Sequence, residues 1–98
     1  MEIGKNALAG TLESSDVLVR VAPHEEDRLE VAISSLVMRQ FGQQIRKVAE
    51  ETLGRLQVTR GRVSIEDKGA LDCVLKARIQ AAVARGTAAA NLDWEALP

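Results

Sequence analysis

The chain has 98 residues, 46% of them hydrophobic and 28% charged, with a formal net charge of −1. This is the composition of one folded domain, and a domain of this size hides only about 60 to 65% of its unfolded surface, so a deep enzymatic cleft would compete with the core for the same few apolar residues. The single Cys73 excludes an intramolecular disulfide, and neither a signal-peptide pattern nor a run approaching ~20 apolar residues is present, so we expect a cytoplasmic protein with no membrane partner.

Residues 7–13 and 16–22 read as strands, the second clearly, because Val17, Val19 and Val21 alternate with Leu18 and Arg20. Glu13-Ser14-Ser15-Asp16 between them has turn chemistry, since Ser and Asp side chains readily bond nearby backbone amides. After a loop holding Pro23 and the acidic run Glu25-Glu26-Asp27, Leu29, Val31 and Ile33 alternate with Glu30 and Ala32 and predict a third strand. Ser34 or Ser35 can then cap a long amphipathic helix whose apolar stripe is Val37, Phe41, Ile45, Val48, Thr52 and Leu56. A short fourth strand around Val63 and Ile65 ends at the turn residues Asp67-Lys68-Gly69. A second helix over residues 70–85 presents Leu71, Val74, Leu75, Ile79, Ala82 and Val83 on one face, with Gly86 as its stop.

The order β-β-β-α-β-α, with one-sided strands and one-sided helices, predicts an α+β fold: a small antiparallel β-sheet covered on one face by two α-helices. Its buried face should draw on Val17, Val19, Val21, Leu29, Val31, Ile33, Val63 and Ile65. Residues 1–86 form the domain, and residues 87–98 are expected to be a mobile C-terminal tail unless Trp94 docks on the domain or on a partner.

Few residues offer chemistry of their own. His24 lies alone in a loop and reads as solvated, while Cys73, among Val74, Leu75 and Ala77, reads as a small buried thiol; neither has a metal ligand at motif spacing. Glu13 and Asp16 flank a turn without the burial that would separate their pKa values into an acid and a base. The glycines never assemble into a phosphate-binding loop. Residues 1–35 hold three basic and seven acidic side chains, a balance of −4, whereas residues 36–92 hold ten basic and five acidic, a balance of +5. The basic half, with Arg39, Arg46, Arg55, Arg62, Lys76 and Arg78, is either a solvated helix surface or a face for an acidic partner or phosphates. An RNA-binding module is the rival from another class, but one Phe, one Trp and no Tyr leave almost nothing for base stacking. A purely structural adaptor would need no functional serine.

Three segments bear a resemblance. The run Ala7-Leu8-Ala9-Gly10-Thr11-Leu12-Glu13-Ser14-Ser15-Asp16-Val17-Leu18-Val19-Arg20 is similar to the signature of citrate lyase acyl carrier subunits. So is Asp67-Lys68-Gly69-Ala70-Leu71-Asp72-Cys73-Val74-Leu75-Lys76-Ala77-Arg78, with Gln40-Phe41-Gly42 opening the corresponding long helix between them. The resemblance implies a non-catalytic carrier (gamma) subunit that is not itself an enzyme. It also implies a phosphodiester between Ser14 and 2'-(5''-phosphoribosyl)-3'-dephospho-CoA, installed by a dedicated prosthetic-group transferase.

From the residues alone Ser14 and Ser15 are equivalent turn hydroxyls; the family pattern, which modifies the serine directly after Gly-Thr-Leu-Glu, selects Ser14. By the same resemblance, the alpha subunit (acyl transferase) exchanges a carried acetyl group for citrate and releases acetate. The beta subunit (citryl lyase) then cleaves the citryl thioester to oxaloacetate and restores the acetyl form. The carrier of a malonate decarboxylase-like complex is the alternative within carriers. Ordinary acyl carrier proteins, all-helical and marked by Asp-Ser-Leu at a helix start, are more distant.

Overall fold

The computed structural model describes residues 1–87, which run β1 (Ala7–Gly10), β2 (Val17–Ala22), β3 (Leu29–Ser35), α1 (Met38–Arg55), β4 (Gly61–Asp67) and α2 (Asp72–Thr87). The α+β class, the element order and the two helices packed on one face of the sheet are as the periodicities predict. The expected tail, with Trp94, lies outside the described residues apart from Thr87. No helix among the described residues is long and apolar enough to cross a membrane.

The sheet order is β1-β2-β4-β3. Its β1-β2 and β2-β4 pairs are antiparallel, but β3 pairs with β4 in parallel, so the expected antiparallel sheet is corrected to a mixed one. The cause is α1: a helix between two strands carries the chain back along the sheet and lets both run the same way, whereas a tight hairpin forces antiparallel pairing. Register puts Val17 opposite Asp67, Val19 opposite Ile65 and Val21 opposite Val63, while Val31 and Ile33 align with Val63 and Ile65 from the other side. These side chains therefore share one face. Val17, Val19, Val21, Val63 and Ile65 are buried there against Ile45, Val48, Ala49 and Leu53 of α1 and Leu75, Ile79, Ala82 and Val83 of α2. Leu29, Val31 and Ile33 are only half-buried, because β3 is the edge strand. Arg20, Glu30, Ala32 and Arg62 on the opposite face are exposed.

Parallel pairing of β3 and β4 has a positional consequence. Each is followed by a helix that returns along the sheet, so α1 and α2 both begin at one end, where Ser35, Asp67 and Val17 lie side by side in register. At the other end, Gly86 sits inside α2 and not beyond it: its carbonyl accepts from the amides of Gly4 and Lys5 at 3.0 and 3.1 Å. A Cβ at Gly86 would stand 2.5 Å from a Val21 methyl, so the expected stop is a close helix-to-sheet contact.

Burial begins only about one turn into each helix, with Gly42 in α1 and Leu75 in α2. Phe41 is 52% exposed and Leu71 70% exposed, a correction to both stripes: they fall on the apolar face by period but precede the part of each helix that packs on the sheet. Ser35 is likewise not the cap of α1. It lies two residues before Val37, which occupies the N-cap position without a side-chain cap, and its Oγ accepts from the Val37 amide at 3.1 Å while donating to Asp67 Oδ2 at 2.8 Å.

Candidate functional site

The turn over residues 11–16 stands at the end of the sheet where both helices begin. Gly10 ends β1 with φ +95°, and a Cβ there would lie 1.8 Å from the Val17 carbonyl oxygen, so only glycine lets the two strands close at this point. That conformation shortens the expected first strand from residues 7–13 to Ala7–Gly10. Beyond it, the Asp16 amide donates to the Glu13 carbonyl at 3.1 Å, closing a turn with Ser14 and Ser15 at its two central positions. Ser15 takes a left-handed φ of +65°, the sign that a type II turn has at its second central residue.

One carboxylate organises the turn. Asp16 Oδ2 accepts from the Thr11 hydroxyl at 2.7 Å, Oδ1 accepts from the Val17 amide at 2.7 Å, and Arg78 of α2 donates to both oxygens at 3.1 Å. The Thr11 hydroxyl in turn accepts from the Glu13 amide at 3.2 Å. The backbone adds a second fastening: the Ser15 amide donates to the Lys68 carbonyl at 2.8 Å, and the Lys68 amide to the Asp16 carbonyl at 2.9 Å, which extends the β2-β4 pairing past Val17 and Asp67. Ser14 is exposed and makes no hydrogen bond among the described residues. It is the apex of a turn in which Thr11, Glu13, Ser15 and Asp16 are held by hydrogen bonds.

These contacts also set the protonation of Asp16. Hydrogen bonds from Thr11, from Arg78 and from the Val17 amide favour the carboxylate and lower its pKa from 3.8 to about 2. Because the folded pKa is depressed, the stability that this carboxylate lends is fully present above pH 3.8 and is lost as the pH falls through about 2. A carboxyl NMR titration should give Asp16 a midpoint near 2, with the Val17 amide shifting in the same window. A midpoint at the ordinary 3.8 would contradict the clamp.

Asp67 braces the same end from beneath. It is 4% exposed; its Oδ2 accepts from Ser35 and from the Gly69 amide, and its Oδ1 from the Ala70 amide, so one buried side chain ties the exit of β3 to the entry of α2. Leu12, Leu36, Met38, Phe41 and Leu71, all substantially exposed, belong to the segments that meet at this end.

Glu13 and Asp16 have turn roles: Asp16 is engaged by Arg78, and Glu13 supplies a backbone carbonyl to the turn. His24 is not solvated. It is 4% exposed, its Nδ1 accepts from the Glu26 amide at 2.9 Å, and its Nε2 lies 3.9 Å from Glu30, because Arg60 fastens the loop over it by donating to the carbonyls of His24 and Glu25. Cys73 is exposed, not buried, since it lies at the start of α2 ahead of the first residue that packs on the core. No cluster of three or more His, Cys, Asp or Glu able to hold a metal occurs among the described residues. In the basic half, Arg78 is paired with Asp16, Arg46 with Glu50, and Arg62 with Glu25 and Glu30; Arg39, Arg55 and Lys76 have no ion pair among the described residues.

Comparison with known proteins bears on what this turn is for. The family described as malonate decarboxylase delta subunit (MdcD), an acyl carrier family, matches residues 4–86. The citrate lyase acyl carrier protein of Albidiferax ferrireducens is 58% identical over 97 residues, covering 99% of both chains. That of Escherichia fergusonii is 55% identical over 97 residues, covering 99% of this chain and all of the relative. That of Rhodopseudomonas palustris is 56% identical over 97 residues, covering 99% of both. In fold, the chain is similar to one in the crystal structure of a Pseudomonas malonate decarboxylase hetero-tetramer in complex with malonate, with a TM-score of 0.75 at 19% identity over 85% of this chain and 84% of that one.

Proposed function

The chain belongs to the citrate lyase acyl carrier proteins, and from that premise we propose that Ser14 is the point at which its prosthetic group is joined. An acyl carrier protein works through a covalently attached group and serves a multisubunit complex; it is a carrier and not a catalyst. The single observation that supports Ser14 is its place at the turn apex, exposed and free of internal hydrogen bonds, between Glu13 and Ser15, which are both held by hydrogen bonds. A phosphodiester on that oxygen adds charge at a solvated position, and no polar group needs to be buried to accommodate it.

The group we propose is 2'-(5''-phosphoribosyl)-3'-dephospho-CoA, loaded in the cytoplasm by a transferase from a precursor activated at phosphorus. In that step the Ser14 O–H bond breaks and an Oγ–P bond forms as the bond from phosphorus to a phosphate leaving group breaks. The proton passes to a base of the transferase or to water. Once bound, the group supplies a thiol that holds acyl groups as thioesters. Ser14 then acts as a tether whose rigid turn fixes one end of a long arm. Tethering replaces diffusion between the alpha subunit (acyl transferase) and the beta subunit (citryl lyase) with a high effective concentration, provided the arm spans both.

Malonate decarboxylase-type carriage is the second reading, favoured by the description of the matching family. Reconstitution separates the two. Carrier loaded with the arm and acetylated should restore citrate cleavage to purified alpha and beta subunits of citrate lyase, while bare carrier should restore none. Loaded carrier that serves malonate decarboxylation and leaves citrate untouched would decide for the second.

A further inference from the structure

Ser14 and Ser15 are adjacent, both exposed, and chemically equal as nucleophiles. Attachment at either would release the same leaving group and give products of identical mass, so the choice between them must come from the conformation of the turn. We infer that the Arg78–Asp16 pair is a specificity-determining clamp, which presents Ser14 and withholds Ser15 from the enzyme that loads the arm. This rests on the reading of Ser14 given above.

The two serines are held very differently. Ser15 is drawn onto the body of the domain: its amide is bound to the Lys68 carbonyl, the next residue is bound back through the Lys68 amide, and its backbone stays at φ +65°. A serine takes that left-handed conformation only where its surroundings impose it. Ser14 lies one residue beyond this fastening and has no hydrogen bond of its own among the described residues.

Backbone bonds to Lys68 and Glu13 hold this conformation, and Arg78 anchors the next residue, Asp16, to α2 through its carboxylate. The two donors of Arg78 meet both oxygens at 3.1 Å from a helix position next to the fully buried Ile79, 62 residues away in sequence. A guanidinium fork on a carboxylate fixes orientation as well as distance, which a lysine cannot do. Gly10 leaves the space, since a Cβ there would also press to 3.2 Å on the Arg78 side chain. Removing the guanidinium leaves the Asp16 carboxylate with Thr11 in the loop and the amide of Val17 at the start of β2. The turn then keeps its closure and its backbone bonds to Lys68 but loses its tie to α2, which weakens the hold on Ser15 in the left-handed region. Arg78 is a positioning residue, acting through Asp16 on which oxygen meets the activated phosphorus.

The test loads wild type, Arg78→Ala, Arg78→Lys and Asp16→Asn with the transferase and the activated arm precursor. Tandem mass spectrometry of the peptide spanning residues 11–20 then places the adduct, circular dichroism checks folding, and amide exchange is followed at residues 15 and 16. Wild type should carry all its adduct on Ser14. Arg78→Ala should load about tenfold more slowly and place a measurable share on Ser15, with faster exchange at both amides. Arg78→Lys should fall between, and Asp16→Asn should repeat the mixed placement if Arg78→Ala proves unfolded. Folded variants that load at the wild-type rate on Ser14 alone would overturn the clamp. A wild type that loads on neither serine, while the variants still show faster exchange, would overturn the assignment of Ser14 and the selection with it.

Discussion

Replacing Ser14 by alanine should abolish attachment of the arm and reduce citrate cleavage by the assembled complex to background, while leaving the fold intact. On the proposed assignment the hydroxyl oxygen is the tether, and alanine has no nucleophile to offer in its place. The structural cost is small because the side chain is exposed and bonded to nothing among the described residues, and a surface change of this kind alters stability by about 0.5 kcal/mol or less. Ser15→Ala should retain attachment. Intact mass after incubation with the transferase and the arm precursor reads the first effect, and a thermal melt reads the second. An adduct on folded Ser14→Ala would remove the assignment.

A loss of the opposite kind is expected at Leu53. Its side chain is fully buried where α1 lies against the sheet, among Ile45, Val48 and Ala49. Leu53→Ala removes that contact and leaves a cavity, which costs about 2 to 5 kcal/mol in a well-packed core. A domain of this size commonly holds only about 5 to 15 kcal/mol in all. Each 1 kcal/mol moves its midpoint by roughly 4 to 8 °C, so the melt should fall by on the order of 10 °C or more. Urea unfolding should show a lower midpoint at an unchanged slope. A loss under about 1 kcal/mol would mean that α1 does not pack as described.

The same residues show which parts of the structure are legible in sequence. Alternation of Val17, Val19 and Val21, and of Val63 and Ile65, marks which face of each strand is buried, because side-chain direction along a strand has period two. It does not mark which strand is the neighbour, and so the parallel pairing of β3 with β4 is invisible in it. Helical period likewise places Phe41 and Leu71 on apolar faces, yet exposure depends on where the sheet ends beneath the helix.

The proposed site is legible in a different way. Ser14 is one turn hydroxyl beside another, and only the likeness of the surrounding run to a known carrier distinguishes it. Asp16 and Arg78 stand in two separate runs of that likeness, 62 residues apart. Their pairing could not be read from spacing, because it is made by the packing of α2 across β1 and β2. His24 misled for the reverse reason: a lone loop histidine looks solvated until Arg60, from a distant part of the chain, closes the loop over it.

The central claim, that this chain is a carrier whose arm is joined at Ser14, is tested most directly on the wild-type protein produced together with its own modifying enzymes. Intact mass followed by tandem sequencing of the peptide covering residues 11–20 gives both the size and the position of the adduct. The account predicts one adduct per chain, with the mass of phosphoribosyl dephospho-CoA joined by a phosphodiester, on Ser14. An adduct of a different mass, an adduct on another residue, or unmodified protein in the presence of an active transferase and its precursor would contradict it.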